Sequence, residues 1–251
     1  MTTDDHRLAR DLAAQAGERL LALRAGGGDP TSLRAAGDRL AHEYLMAELG
    51  RLRPDDAILS EEGRDDEARL SSDRAWIVDP LDGTREFGEV GRTDWAVHVA
   101  LWERGELTAG AVALPAQEKT LSTADPLPSP AAEQNGDGGR LRIVISRSRP
   151  PEFIARLAEL TSADLIPLGS AGAKVAAVVR GEFDAYVHAG GQYEWDSAAP
   201  VAVARASGLH ASRIDGSELT YNQAHPWMPD ILVCRSELSG MLLDAIDSAG
   251  R

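Results

Sequence analysis

The sequence predicts a layered α/β (α+β) protein, and three observations carry that prediction. Two N-terminal stretches repeat apolar residues near helical spacing. Two apolar runs in the middle of the chain are joined by a four-residue polar turn, as in a hairpin. From residue 141 onward, strand-like and helix-like runs alternate, the pattern of helices packed against a sheet. With 43% hydrophobic residues in 251, the chain can bury a substantial core, in one domain or two tightly joined lobes.

Residues 4–25 read as the first helix, with Leu8, Leu12, Ala16, Leu20 and Leu23 tending to one face and Gly26, Gly27 and Gly28 ending it. Residues 32–49 read as the second, with an apolar stripe of Leu33, Ala36, Leu40, Tyr44 and Ala47. Residues 57–60 and 76–78 are short apolar runs that suit buried strands. Residues 95–102 and 107–114 form the hairpin, turning at Glu103, Arg104, Gly105 and Glu106. Residues 124–140, rich in Pro, Gly, Ser and Asn, read as a loop joining an N-terminal lobe (1–135) to a C-terminal lobe (136–251). A strand at 141–145 precedes a helix at 151–160 that opens with Pro151. A strand near Leu165 and Ile166, a helix at 170–180 closed by Gly181, and a strand at 183–187 follow. A helix at 197–206, a short hairpin region, a strand at 231–234 and a final helix at 236–249 complete the chain.

Chemistry concentrates after the strand at 76–78, in Asp79-Pro80-Leu81-Asp82-Gly83-Thr84. Pro80 is expected to stop that strand, because it lacks an N–H and fixes φ. Asp79 and Asp82 then sit close enough to share a metal. Gly83 and Thr84 open a helix whose free N–H groups suit a phosphate. Hard oxygen ligands beside an anion cradle suggest Mg²⁺-assisted phosphate chemistry. The same residue types are common in plain turns. The spacing does not fit an EF-hand, since Pro80 and Asp82 fall on the second and fourth places of the loop. Two more acidic segments stand out. Ser60-Glu61-Glu62-Gly63 follows a strand, and Glu194-Trp195-Asp196-Ser197-Ala198-Ala199 leads into a helix, with Asp196 in an N-cap-like place.

Together these segments resemble the inositol monophosphatase superfamily of Mg²⁺-dependent, Li⁺-sensitive phosphatases. The matching boxes are Ser60 to Gly63, Trp76 to Thr84 and Trp195 to Ala199, in that order, and the likeness spans nearly the whole chain. Within the superfamily the chain is most similar to CysQ-type 3′(2′),5′-bisphosphate nucleotidases. That likeness rests on Glu194 before Trp195-Asp196, on Gly169-Ser170-Ala171-Gly172-Ala173-Lys174, and on Ile145-Ser146-Arg147-Ser148.

The resemblance implies an α-β-α-β-α sandwich, a homodimer, two or three Mg²⁺ ions, and a role in sulfate assimilation. It implies that Glu61, Asp79 and the Leu81 carbonyl hold one ion, that Asp79, Asp82 and Asp196 hold a second, and that Asp79 bridges them. Thr84, partnered by Asp38 or Glu61, would orient or deprotonate the attacking water, with Asp38 on the second helix. Asp82, Gly83, Thr84, Ser170, Lys174 and Asp196 would contact the substrate, Lys174 through a second phosphate or the ribose. Arg147 or Ser148 would face the nucleotide, and Glu194 would support the Asp196 segment or contact ribose. The implied reaction removes the 3′-phosphate of adenosine 3′,5′-bisphosphate or 3′-phosphoadenylyl sulfate. Inositol monophosphate and fructose 1,6-bisphosphate remain alternatives on the same fold. A haloacid-dehalogenase mechanism would want D-x-D where this chain has D-x-x-D, and a phosphate-sensing binding protein would not need all of Glu61, Asp79, Asp82, Thr84 and Asp196.

Composition narrows the partners. Forty acidic against twenty-six basic residues give a net charge of −14, which lacks the basic footprint of a nucleic-acid binder. That field also repels a phosphate ester, so bound cations are needed to invert it locally. Cys234, the single cysteine, excludes an intrachain disulfide and reads as a buried strand residue. The six histidines form no H-x-x-H or H-E-x-x-H pattern, which disfavours zinc. Residues 1–10 are polar, and no apolar run is long enough for a membrane span, so the expectation is a soluble cytoplasmic protein.

Overall fold

The computed structural model describes residues 4–130 and 139–250. Its first layer is α1 (Asp5–Ala25) and α2 (Pro30–Leu52). Asp4 caps α1 by accepting the N–H groups of His6 and Arg7, and Asp29 caps α2 at Ser32. Leu8, Leu12, Ala16 and Leu20 are buried, as their spacing predicts. The buried face of α2 differs from the predicted stripe. Gly37, Ala41, Leu45 and Leu49 are buried, whereas Ala47 is exposed. Apolar side chains surround α2, so periodicity alone selects no face. Packing does so at Gly37, where a Cβ would lie 2.8 Å from Phe87 and 2.9 Å from Leu81.

The second layer is a sheet in the order β1 (Ala57–Ser60), β2 (Arg74–Asp82), β3 (Ala96–Glu103), β4 (Glu106–Leu114) and β5 (Lys119–Ser122). β1 and β2 are parallel, and the other pairs are antiparallel. Arg104 and Gly105 both have positive φ, which suits the two-residue turn of a twisted hairpin. β2 corrects the expectation that Pro80 ends the strand. It continues to Asp82, and its register against β3 shifts between Asp79 and Asp82. A bulge is where a sheet tolerates proline, because no ladder N–H is required there. A five-residue helix, α3 (Thr84–Gly88), follows.

The second sheet has the order β7 (Asp164–Leu168), β6 (Arg142–Ser146), β8 (Ala185–Tyr193), β10 (Trp227–Cys234) and β9 (His210–Ser212). Its helices are α4 (Ile154–Thr161), α5 (Ala171–Val179), α6 (Glu194–Ala206) and α7 (Ser239–Ser248). α4 begins three residues later than predicted, since Pro151 opens a turn that hydrogen-bonds Ile154 rather than the helix itself. α6 begins at Glu194, so Asp196 lies inside its first turn and Tyr193 takes the capping place. Cys234 is buried at the end of β10.

Three cores separate five layers. Leu12, Ala16 and Leu45 pack on Trp76, Val78 and Val99 between the first helices and the first sheet. Ile77, Ala100 and Val112 meet α5, α6 and the inner face of the second sheet, including Val144 and Ile231. Ile154, Leu157, Leu242 and Ile246 cover the outer face of that sheet. β2 is therefore buried on both faces, and its residues 75–78 read as a continuous apolar run. The result is the α-β-α-β-α sandwich. The junction at 135/136 falls among residues 131–138, outside the described residues. Among the described residues, no helix is long and apolar enough to cross a membrane.

Candidate active site

Parallel pairing builds the first half of the site. Ser60 lies in register with Val78, and the Glu61 N–H donates to the Val78 carbonyl at 3.4 Å. Glu61 and Asp79 thus leave the same end of adjacent strands. At the bulge the Leu81 N–H donates to Asp79 Oδ1 at 3.0 Å, and the chain turns so that Asp82 follows. Asp196 arrives from the other sheet, on the first turn of α6, its Oδ2 accepting the Tyr193 N–H at 2.6 Å. One oxygen each of Asp79, Asp82 and Asp196 lie within 4.8 Å of one another.

Asp79 is 1% exposed and Asp82 7%, so three like charges converge where water is scarce. Burial, together with Glu61, Asp82 and Asp196, holds the Asp79 carboxyl well above the usual range. Burial, with the charges of Asp196, Asp82 and Glu62, pushes Glu61 up to about 7 against its hydrogen bond with Asp79, and burial beside Asp82 pushes Asp196 up to about 6. Uncompensated carboxylates at this density are unfavourable, and a hard divalent cation is what an all-oxygen donor set of this charge fits.

Asp82 behaves differently because α5 meets it. Its carboxylate accepts Ser170 Oγ at 2.5 Å, Gly172 N–H at 2.7 Å and Ala171 N–H at 3.2 Å. Burial raises its pKa, but His98, Lys174 and Ser170 outweigh this and bring it down to about 2. His98 is fully buried, with Nε2 3.2 Å from Asp82 Oδ2 and Nδ1 donating to the Trp195 carbonyl at 3.0 Å. It ties Asp82 to the segment that carries Asp196. Gly172 leaves no room to spare, since a Cβ there would fall 2.0 Å from His98 Nε2. Gly172→Ala is expected to cost roughly 1–3 kcal/mol by overpacking and to lower activity by dislodging His98. Differential scanning fluorimetry checks it, and an unchanged thermal midpoint would refute the close fit.

The structure brings Thr84 and Asp38 together. Thr84 Oγ1 donates to Asp38 Oδ1 at 3.2 Å and lies 3.0 Å from the Leu81 carbonyl. The bare Gly37 next to Asp38 is what lets α2 approach this closely. Burial and Glu62 push Asp38 up to about 6 against the Thr84 hydrogen bond. Gly83 adopts φ +84° at the entry to α3, a conformation that suits glycine.

Beside the carboxylates lies a cavity of about 320 Å³, lined by Asp82, Thr84, Ser170, Lys174 and Asp196 among others. Ser170 both caps α5, accepting the Ala173 N–H at 2.9 Å, and donates to Asp82. Lys174 is buried, with Nζ donating to the Gly169 and Ser170 carbonyls at 3.1 and 2.7 Å, and burial lowers it to about 8. Ser148 lines the cavity, whereas Arg147 pairs with Glu86 and Glu89 and is absent from the wall. Arg149, which the sequence reading missed, lines it instead, together with Tyr186, His188 and Gln192. The second arginine of Ser146-Arg147-Ser148-Arg149 was the available signal. Tyr186, His188 and Gln192 sit on β8, whose extent past residue 187 was not foreseen. Glu194 is buried and directed away from the cavity wall, accepting the N–H groups of Asn222 and Gln223.

Known proteins resemble this chain in sequence and in fold. The sequence is 53% identical over 243 residues to a 3′-phosphoadenosine 5′-phosphate phosphatase of Mycobacterium tuberculosis, covering 94% of this chain and 91% of that one. It is 33% identical to the 3′(2′),5′-bisphosphate nucleotidase CysQ of Escherichia coli K12, over 74% and 78% of the two chains. The crystal structure of CysQ from Bacteroides thetaiotaomicron superposes with a TM-score of 0.77 at 28% identity, covering 92% of this chain and 97% of that one. The sequence model of the inositol monophosphatase family matches residues 6–249, nearly end to end. With the five-layer sandwich and the Asp79, Asp82 and Asp196 cluster in place, the chain belongs to the inositol monophosphatase family.

Proposed function

We propose that this protein hydrolyses the 3′-phosphate of adenosine 3′,5′-bisphosphate, with 3′-phosphoadenylyl sulfate as a second substrate, releasing phosphate and AMP or adenylyl sulfate. The observation that carries this reading is a cavity whose wall holds Asp82 and Asp196 of the carboxylate cluster together with Arg149 and Lys174. A bisphosphate needs two anion sites, and an inositol monophosphate needs one. Lys174 spends two of its three N–H donors on backbone carbonyls. Arg149 is therefore the stronger candidate for the second phosphate, as a charge-assisted hydrogen-bond donor. The names of the mycobacterial and Escherichia coli relatives support the same substrate class.

Glu61, Asp79 and the Leu81 carbonyl would hold one Mg²⁺, and Asp79, Asp82 and Asp196 a second, with Asp79 shared. Bound Mg²⁺ supplies Lewis acidity toward water and phosphate and neutralises the departing oxygen. Thr84 passes its hydroxyl hydrogen bond to Asp38, so its lone pairs are free to accept a proton from the attacking water. Asp38, held up to about 6, is matched to take that proton near neutral pH. Water adds to phosphorus as the bond to O3′ breaks, O3′ takes a proton from solvent to become the 3′-hydroxyl, and no phosphoenzyme forms. His98 and the N-terminus of α5 keep Asp82 in place throughout. A homodimer, a cytoplasmic location suited to the lone Cys234, and two lobes (1–135 and 136–251) closing on this site belong to the same reading.

Phosphate release from adenosine 3′,5′-bisphosphate and inositol 1-phosphate, with Mg²⁺ and with or without Li⁺, tests it. The nucleotide is expected to have the higher kcat/KM, with inhibition by Li⁺. Arg149→Ala should raise KM for the nucleotide about 10–100-fold, the loss expected for a charged hydrogen bond, and leave inositol 1-phosphate turnover unaffected. Preference for inositol 1-phosphate, or equal losses on both substrates, would remove the nucleotide assignment.

A further inference from the structure

We propose that Arg69, Asn222 and Glu194 form a positioning latch that fixes Asp196 relative to Glu61 and so sets the cation affinity of the site. This rests on the metal-site reading above. Glu61 follows β1 of the first sheet, whereas Asp196 lies on α6, which follows β8 of the second. Their spacing depends on whatever joins the two segments that carry them.

Among the described residues, a continuous polar connection joins those segments. Arg69 follows the Glu61 loop and binds the Asp65 carboxylate with two N–H groups, at 2.7 and 2.9 Å. Arg69 Nη1 also donates to Asn222 Oδ1 at 2.7 Å, and Nη2 donates to the Gln223 carbonyl at 2.8 Å. Asn222 Nδ2 returns a hydrogen bond to the Arg69 carbonyl at 3.1 Å. Each Glu194 carboxylate oxygen then accepts one backbone N–H, from Asn222 at 2.7 Å and from Gln223 at 2.8 Å. Glu194 is two residues before Asp196, and its own N–H donates to the Pro226 carbonyl at 2.9 Å.

Several features set this apart from ordinary packing. Arg69, Asn222 and Glu194 are 1%, 6% and 2% exposed, and buried ionic groups are costly unless each hydrogen-bonding site is met. Here they are met on both sides. Asn222 adopts φ +59°, which asparagine tolerates better than most residues and which points two successive N–H groups at one carboxylate. Both ends of the connection stop within four residues of a proposed metal ligand: Asp65 is four after Glu61, and Glu194 is two before Asp196. A buried network that only filled space could be apolar. One that fixes the direction of two carboxylates needs directional bonds, as partners of metal ligands do.

The test uses the full chain and Mn²⁺ as a probe, with binding read by the loss of its free-ion electron paramagnetic resonance signal. Asn222→Gly keeps the left-handed backbone and removes both side-chain bonds to Arg69. It is expected to weaken Mn²⁺ binding about 10–100-fold, the range for losing a partner of a metal ligand. Asn222→Asp restores the acceptor for Arg69 and should recover most of the affinity. If Asn222→Gly stays folded, with or without a lower thermal midpoint, and binds Mn²⁺ within twofold of the parent, the latch is overturned. Hydrogen exchange on the parent gives a second reading that needs no variant. By reciprocity of coupling, saturating Mn²⁺ should increase protection of the Asn222 and Gln223 amides. Unchanged protection there, while the Leu81 amide responds, also overturns it. A parent that binds no Mn²⁺ removes the metal-site reading and the latch together, whereas a binding parent with an equally binding variant removes the latch alone.

Discussion

Asp79→Asn is expected to lower kcat by about three orders of magnitude or more, the scale of losing a charge that both halves of the proposed two-metal site would share. The same substitution should leave the fold intact and relieve repulsion in metal-free protein. Asp79 is buried against Glu61, Asp82 and Asp196, so its charge opposes folding until a cation is present. The sign follows from proton linkage. Asp79, Glu61, Asp38 and Asp196 all have raised folded-state values, so the folded chain holds protons that the unfolded chain releases. Metal-free stability therefore falls as pH rises from about 4 through about 7. Asp82 runs the other way: its stabilisation is present above about 4 and lost as pH falls toward 2. In chelator, Asp79→Asn should flatten the high-pH decline, and added Mg²⁺ should raise its thermal midpoint less than the parent's. Wild-type turnover in a folded Asp79→Asn protein would end the metal proposal. A parent midpoint in chelator that rises between pH 5 and 8 would end the electrostatic account of the cluster.

Thr84→Ala should lower kcat about 10²–10³-fold with a much smaller change in KM, the range for removing a positioned proton acceptor. The hydroxyl does not build the fold: α3 is one short turn, and among the described residues the Thr84 side chain bonds Asp38 and Leu81. Thr84→Ser keeps the hydroxyl and should retain most activity. Asp38→Asn should act on the same step and combine with Thr84→Ala far less than additively, because the two hydrogen-bonded residues would form one relay in the proposed mechanism. It should also flatten the acidic limb of the kcat profile, which in the parent reports a group held up to about 6. Additive losses in the double variant, or an unaltered acidic limb in Asp38→Asn, would detach Asp38 from water activation and return the role to Glu61.

The sequence was most informative where chemistry is local. Asp79, Asp82, Gly83 and Thr84 are legible together because a strand end, a proline and a helix start are short-range features. Pro80 is ambiguous in the sequence alone. A proline that ends an isolated strand can sit inside a bulge once a neighbour supplies the ladder, and only the pairing of β2 with β3 reveals the bulge. The buried face of α2 differs from the predicted one because apolar residues surround the helix, and the choice depends on Phe87 and Leu81 meeting Gly37. Arg147 and Arg149 look equivalent in sequence. Glu86 and Glu89, some sixty residues away, decide which of them reaches the cavity wall.

By itself, then, the sequence determined the helices, the strands, the layered class and the residue types of the site, since periodicity, caps and turn residues act over a few positions. Tertiary structure decided which side chains meet. The register of β1 on β2 sets Glu61 beside Asp79, α5 claims Asp82, His98 joins Asp82 to the Asp196 segment, and Arg69 reaches Asn222 across 153 residues. These contacts leave no periodic trace along the chain. They form only when separate layers close on one another, and each is selected by the steric fit and charge of a partner distant in sequence.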